Sequence, residues 1–215
     1  MNYACKSVIG RRRTNEDRCC AVSNARGSIL LAVADGMGGH AAGEVASEML
    51  IETLRTQAEH FAPLSLTEPA LRNAILEANL SIYRAAEDSE SCRSMGSTLV
   101  CAVIEGNRYL AANIGDSRLY LYSADRLTRI TKDHSLVQTF MDEGSITPDE
   151  AAVHPLRNVI TRAVGTNLTR ICFAARCTKT ICFCFVLTGY TAAYPIWRSP
   201  RSCPAAVRWS RCAIP

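Results

Sequence analysis

Ile29-Leu30-Leu31-Ala32-Val33-Ala34-Asp35-Gly36-Met37-Gly38-Gly39-His40 is the stretch that decides the fold. Six apolar residues in unbroken succession read as a buried strand. An acid ends the run, and three glycines fall within the next four positions. Gly43-Glu44-Val45-Ala46-Ser47 then opens a helical pattern. A carboxylate is therefore expected at a strand tip, beside bare carbonyls in a chain free to take positive φ. Oxygen donors so placed suit a hard divalent cation. The plainer reading of the same residues is a strand-to-helix turn whose Asp caps the helix.

Upstream lies Arg11-Arg12-Arg13-Thr14-Asn15-Glu16-Asp17-Arg18, arginines beside two adjacent acids. As a loop it is merely solvated. The sharper reading has Glu16 and Asp17 facing a cation and one arginine facing an anion, because a guanidinium fork matches phosphate oxygens. Cation and arginine converging on one point suit a phosphate ester. Strands are expected over Tyr3–Ile9, Cys19–Val22 and Ser28–Ala34. Downstream, Val45/Ala46, Met49/Leu50 and Thr53/Leu54 repeat at helical period. A second helix is expected over Glu68–Glu87, capped by Thr67, with Leu71, Ile75, Ala78 and Ile82 as its buried stripe. Ser94-Met95-Gly96-Ser97-Thr98 leads into a hairpin, Leu99–Ile104 and Arg108–Ile114. That hairpin ends in Gly115-Asp116-Ser117-Arg118, a second acid in a glycine turn. Asp35 and Asp116 are expected to share a cleft if their strands belong to facing sheets. Strands Leu119–Tyr122 and Leu127–Thr131, helices from Leu136 and Thr147, and a strand Asn158–Val164 complete the reading.

Taken together these pieces resemble the metal-dependent protein phosphatase family, also called type 2C. They are Arg12…Asn15-Glu16-Asp17, Asp35 to His40, Gly43 to Ser47, Met95 to Thr98, Gly115 to Arg118, Asp133-His134-Ser135 and Ile160 to Gly165. They run in the family's order over residues 3–169, and Met37 resembles the bacterial serine/threonine branch. The resemblance implies an α+β fold: two packed antiparallel sheets flanked by helices, incomplete at the C-terminus. It implies two Mn²⁺ or Mg²⁺ ions held by Asp17, Asp35 and the Gly36 carbonyl. Glu16 would hold waters, Arg12 would grip the phosphate, and Asp116 would line the cleft. The implied reaction is hydrolysis of phosphoserine and phosphothreonine in proteins phosphorylated by a serine/threonine kinase. Water attacks phosphorus directly, with no phospho-enzyme. One rival is the match of Gly36–Ala41 to the G-x-G-x-x-A dinucleotide fingerprint. It is disfavoured because Asp35 would face the pyrophosphate and no β-α-β units follow.

The pattern breaks near residue 170. Through residue 169 the chain holds 17 Lys/Arg against 20 Asp/Glu; beyond it, 7 against none. The later Ser-Asp-Gly and final Asp-Asn of the family are absent, and 6 of the 11 cysteines fall in this tail. The genetic code offers a cause. Read from the third base of the Lys179 codon, the overlapping triplets of Ile181 to Phe185 force Met/Leu, Phe/Leu, Leu and Phe/Leu. The following overlaps permit Cys-Ser-Asp-Gly-Leu. Residues 1–169 are thus expected to be the phosphatase domain, and 170–215 a basic, cysteine-rich segment translated out of frame. That change would cost the domain a central strand. A zinc or disulfide module is the other reading of the tail, but paired C-x-x-C knuckles are lacking.

At 215 residues and 48% hydrophobic content the chain supports one sizeable core. No run of 18 apolar residues or signal-peptide segment is seen, so a cytoplasmic protein with no membrane or nucleic-acid partner is expected. The alternative to an enzyme is an inactive remnant, or a pseudophosphatase that binds phosphopeptides.

Overall fold

The computed structural model describes residues 7, 9, 14–25, 27–38, 42–60, 68–123, 126–167, 171–177 and 182–186. The first β-strands, β1 (Asp17–Ser23) and β2 (Ile29–Met37), form an antiparallel hairpin. Two long helices follow, α1 (Ala42–His60) and α2 (Glu68–Asp88). Then come β3 (Gly96–Ser97), β4 (Leu99–Glu105), β5 (Arg108–Ile114), β6 (Arg118–Ser123) and β7 (Arg126–Arg129). Short helices α3 (Leu136–Asp142) and α4 (Pro148–Val153) precede β8 (Cys172–Cys177) and β9 (Cys182–Val186). One sheet has the order β1-β2-β4-β5-β8, with β3 beside the end of β2; the other has the order β7-β6-β9. All pairings are antiparallel.

The unbroken apolar run of β2 has a simple cause: both faces of its sheet are covered. Leu30, Ala32 and Ala34 join Leu99, Cys101 and Val103 under α1 and α2. Ile29, Leu31 and Val33 join Val100, Ala102 and Ile104 against Leu119 and Leu121 of the second sheet. Alternate residues thus enter two different cores, and each fully buried Leu or Ile contributes ~1.5–3 kcal/mol. On α2, Leu71, Ile75, Ala78 and Ile82 are buried as expected. On α1 the buried stripe is Ala46, Leu50, Leu54 and Ala58, while Val45 is exposed. Helix α4 starts at a capping box: the Thr147 hydroxyl accepts from the Glu150 amide, and the Glu150 carboxylate accepts from the Thr147 amide.

Four expectations need adjustment. First, β2 does not stop before Asp35. It continues to Met37 because Gly36 and Met37 pair with Ser97 and Gly96. Second, Asn158–Val164 is not a strand. Ile160 bridges Ser135 and Val164 bridges Ser97, so the segment ties two separate partners and has no single ladder. Third, Asp35 and Asp116 do not come from facing sheets. The strands β2 and β5 flank β4 in one sheet, and both acids lie where β4 begins. Fourth, part of the segment beyond residue 169 is paired: β8 lies against β5 and β9 against β6, so β6 keeps a neighbour on each side. The expected strand over Tyr3–Ile9 and the Thr67 cap lie outside the described residues.

Backbone meets backbone where β2 runs under α1. A Cβ on Gly36 would sit 1.9 Å from the Gly43 carbonyl oxygen and 2.9 Å from the Glu16 carbonyl. No rotamer change relieves a clash with main chain. Gly36→Ala is therefore expected to destabilise the fold by on the order of 3 kcal/mol or more, read as a lowered midpoint in urea unfolding.

Candidate metal centre

Asp17 and Asp35 are direct register partners across β1 and β2. Directly opposed residues on an antiparallel pair point to one face, with Cβ atoms about 4.5–5.5 Å apart. Asp17 is buried and Asp35 half-buried. Two carboxylates so opposed repel unless positive charge is shared between them. Oxygen donors of this kind suit a hard divalent ion, so the donor chemistry fits Mn²⁺ or Mg²⁺. Among the described residues no group of three His, Cys, Asp or Glu converges as a ligand set.

The main chain carrying these acids is pinned at every carbonyl. The Asn15 carbonyl accepts from Arg18 Nη1 at 2.8 Å, and the Asp17 carbonyl from the same nitrogen at 3.0 Å. The Glu16 carbonyl accepts from the Gly36 amide at 3.1 Å and from Ser47 Oγ at 2.6 Å. The Asp17 amide donates to Asn15 Oδ1 at 3.2 Å. Arg18 reaches on to α1, pairing with Glu44 at 2.7 Å and with Glu48. Burial alone would lower the Arg18 pKa, but the hydrogen bonds to Glu48 and Glu44 together with their charges outweigh it and raise the value.

Asp35 is held from the other side by Thr98. The Thr98 amide donates to the Asp35 carbonyl at 2.9 Å, and the Asp35 amide donates to Thr98 Oγ1 at 3.0 Å. Thr98 Oγ1 also shares a hydrogen bond with Ser117 Oγ at 2.7 Å, both buried. One hydroxyl thus links the Asp35 strand to the Gly115-Asp116-Ser117 corner. That corner is tight: Gly115 has φ +99°, and a Cβ there would meet Thr98 Cγ2 at 2.7 Å. His134 braces it, its Nδ1 accepting from the Gly115 amide at 3.1 Å and its own amide donating to the Gly115 carbonyl at 2.9 Å. Next to it, Asp133 accepts a fork from Arg118 and a further bond from Arg129. The hydrogen bond to Asp133 is the largest cause of the raised Arg118 pKa.

Of the residues singled out in the sequence, Asp17, Asp35 and Gly36 lie together on the β1–β2 pair, with half-buried Glu16 immediately before β1. Asp116 is buried at the β5–β6 corner, reached through Thr98 and Ser117. Arg12, Gly39 and His40 lie outside the described residues. The dinucleotide reading fails, since Gly36 lies in a paired strand with Gly43 packed on it, where a pyrophosphate would need room. Sequence reasoning missed Arg18, Ser47, Thr98 and Ser117 as supports. Their signal was present, since all four sit inside stretches already marked, but the partner of a hydroxyl or a guanidinium is set by tertiary contact. Thr98→Val keeps the shape and strands the Asp35 amide, so a loss of ~1–3 kcal/mol is expected. Chemical unfolding would register it, and Ser117→Ala, which leaves the Asp35 bond intact, should lose less.

A model of the family described as protein phosphatase 2C matches residues 6–167. Serine/threonine protein phosphatase PstP of Mycobacterium tuberculosis is 44% identical over 171 residues, covering 76% of this chain and 31% of the relative. Serine/threonine phosphatase stp of Listeria monocytogenes is 39% identical over 159 residues, covering 73% and 63%. The chain thus spans less than two thirds of these relatives. Among solved structures, phosphatase Stp1 from Staphylococcus aureus superposes with a TM-score of 0.78 at 32% identity, covering 86% of this chain and 74% of that one. The catalytic domain of PstP in complex with two manganese ions gives 0.74 at 37%, covering 86% and 75%.

Proposed function

The chain belongs to the protein phosphatase 2C family, and from that premise we propose that its domain hydrolyses phosphoserine and phosphothreonine in proteins. The observation that carries the reading is the Asp17–Asp35 register pair. Two Mn²⁺ or Mg²⁺ ions, when bound there, would lower the pKa of a water and offset charge on the phosphoryl oxygens. Asp17, Asp35 and the Gly36 carbonyl would hold the cations. Glu16 accepts hydrogen bonds from ordered water, Asp116 closes the far wall of the cleft, and Arg12 takes two phosphate oxygens in its fork. Water adds to phosphorus as the serine or threonine oxygen departs with a proton, giving free hydroxyl and inorganic phosphate. The substrates are proteins phosphorylated by a serine/threonine kinase in the cytoplasm, without nucleic-acid or membrane partners. Among the described residues no helix is long and apolar enough to cross a membrane.

We further propose that residues from about 170 onward are translated out of frame. Support comes from the loss of every acid after Glu150 and from the apolar run that the shifted triplets force across Ile181–Phe185. The third carboxylate that compensates repulsion between paired cations is then lacking. A catalytically inactive remnant or a phosphopeptide-binding pseudophosphatase is the second reading, favoured by that lack.

Assay on a phosphothreonine peptide separates these. With Mn²⁺ the chain should turn over slowly, at least a hundredfold below its frame-restored version, or ~3 kcal/mol of barrier. Chelation or Asp35→Asn should remove the activity, and Arg12→Ala should mainly raise KM. Turnover that survives chelator, or that survives Asp35→Asn, overturns the mechanism. Sequencing the gene around codon 170 tests the frame. A one-base correction should open a frame encoding Ser-Asp-Gly, and a sound gene with no such frame would dismiss it.

A further inference from the structure

We infer that Arg18 is a positioning residue of the metal centre, an inference that rests on the proposed role of Asp17 as a cation ligand. The guanidinium uses three of its nitrogens on two different bodies. Nη1 holds the Asn15 and Asp17 carbonyls, one on each side of Glu16, at 2.8 and 3.0 Å. Nη2 and Nε reach Glu44 and Glu48, both on the first turns of α1. Arg18 therefore clamps the turn that carries Glu16 and Asp17 onto the helix that also supplies Ser47 to the Glu16 carbonyl.

Geometry explains why an arginine serves here. Asp17 and Arg18 are adjacent on β1, so their side chains leave opposite faces of the strand. Asp17 faces its register partner Asp35, and Arg18 faces α1. The Arg18 cation is thus not a counter-charge placed between the acids. It acts through the main chain, fixing the peptide planes from which the two carboxylates project. A planar fork with five donors makes two carbonyl bonds and two carboxylate bonds at once, and a lysine ammonium does not reproduce that pattern.

Charge and geometry make opposite forecasts for removing it. Arg18 with Glu44 and Glu48 carries a net charge of about −1, and Arg18→Ala leaves about −2 near the cleft. Pure electrostatics then predicts equal or tighter cation binding. A positioning role predicts weaker binding, because Asp17 no longer meets the ion at a fixed angle.

Titration calorimetry of the full chain with MnCl₂ reads this directly, with thermal unfolding run in parallel. Arg18→Ala should weaken Mn²⁺ binding about tenfold. Arg18→Lys, which keeps the charge, should weaken it several-fold and so fail to rescue. If Arg18→Ala does not fold, Arg18→Lys decides. Wild-type or tighter Mn²⁺ affinity in a folded Arg18→Ala, or full rescue by Arg18→Lys, overturns the inference and leaves Arg18 as a structural ion pair. Asp17→Asn is the control on the underlying reading. If Asp17→Asn abolishes the binding and the Arg18 variants do not change it, only this inference falls; if Asp17→Asn binds Mn²⁺ like wild type, the ligand assignment itself falls.

Discussion

The register of one hairpin governs the molecule. Pairing Asp17 with Asp35 places both carboxylates on one face and, in the same ladder, sorts Leu30, Ala32 and Ala34 from Ile29, Leu31 and Val33. A slip by one residue would send every side chain of β2 to the wrong core and separate the two acids. The register is locked at its open end by the Gly36 amide on the Glu16 carbonyl, and by the Gly43 backbone lying directly on Gly36. Folding and site assembly are thus one event: the contacts that bury the strand also bring the acids together.

The site is built less by its carboxylates than by what fixes the main chain beneath them. Ser47, Thr98 and Ser117 are fully or almost fully buried hydroxyls, and each is hydrogen-bonded within or between the acid-bearing segments. Small buried hydroxyls suit this task, because they bond backbone groups at short range without the cost of burying a charge. Like charges can then be held close in an ordered frame.

Much of this was legible in the sequence because the informative residues have local causes. The apolar run of β2, the α2 stripe and the Thr147 capping box follow from periodicity and cap chemistry alone. Asp35 and Asp116 stood out because each is an acid beside a glycine at a strand end, whereas Asp17, between Glu16 and Arg18, was marked by the family resemblance. What escaped was non-local. The extension of β2 through Met37 depends on β3, which lies some sixty residues downstream, and the Thr98–Ser117 bond depends on how β4 and β6 meet. Asn158–Val164 looked like a strand because its residues favour one, but each of its bridges goes to a different partner. The strand Cys182–Val186 teaches a different lesson. Cysteine and phenylalanine codons are thymine-rich, so the shifted frame through them also encodes apolar residues.

The central claim is that the Asp17–Asp35 pair is the seat of a divalent cation. Thermal unfolding of the wild-type chain across a MnCl₂ series tests it most directly, because a ligand held only by the folded state must raise the midpoint. Stabilisation should approach ~2.7 kcal/mol when Mn²⁺ exceeds its dissociation constant a hundredfold, and the rise should collapse in Asp35→Asn. A wild-type midpoint that Mn²⁺ leaves unmoved, or a rise that persists undiminished in Asp35→Asn, would contradict the account.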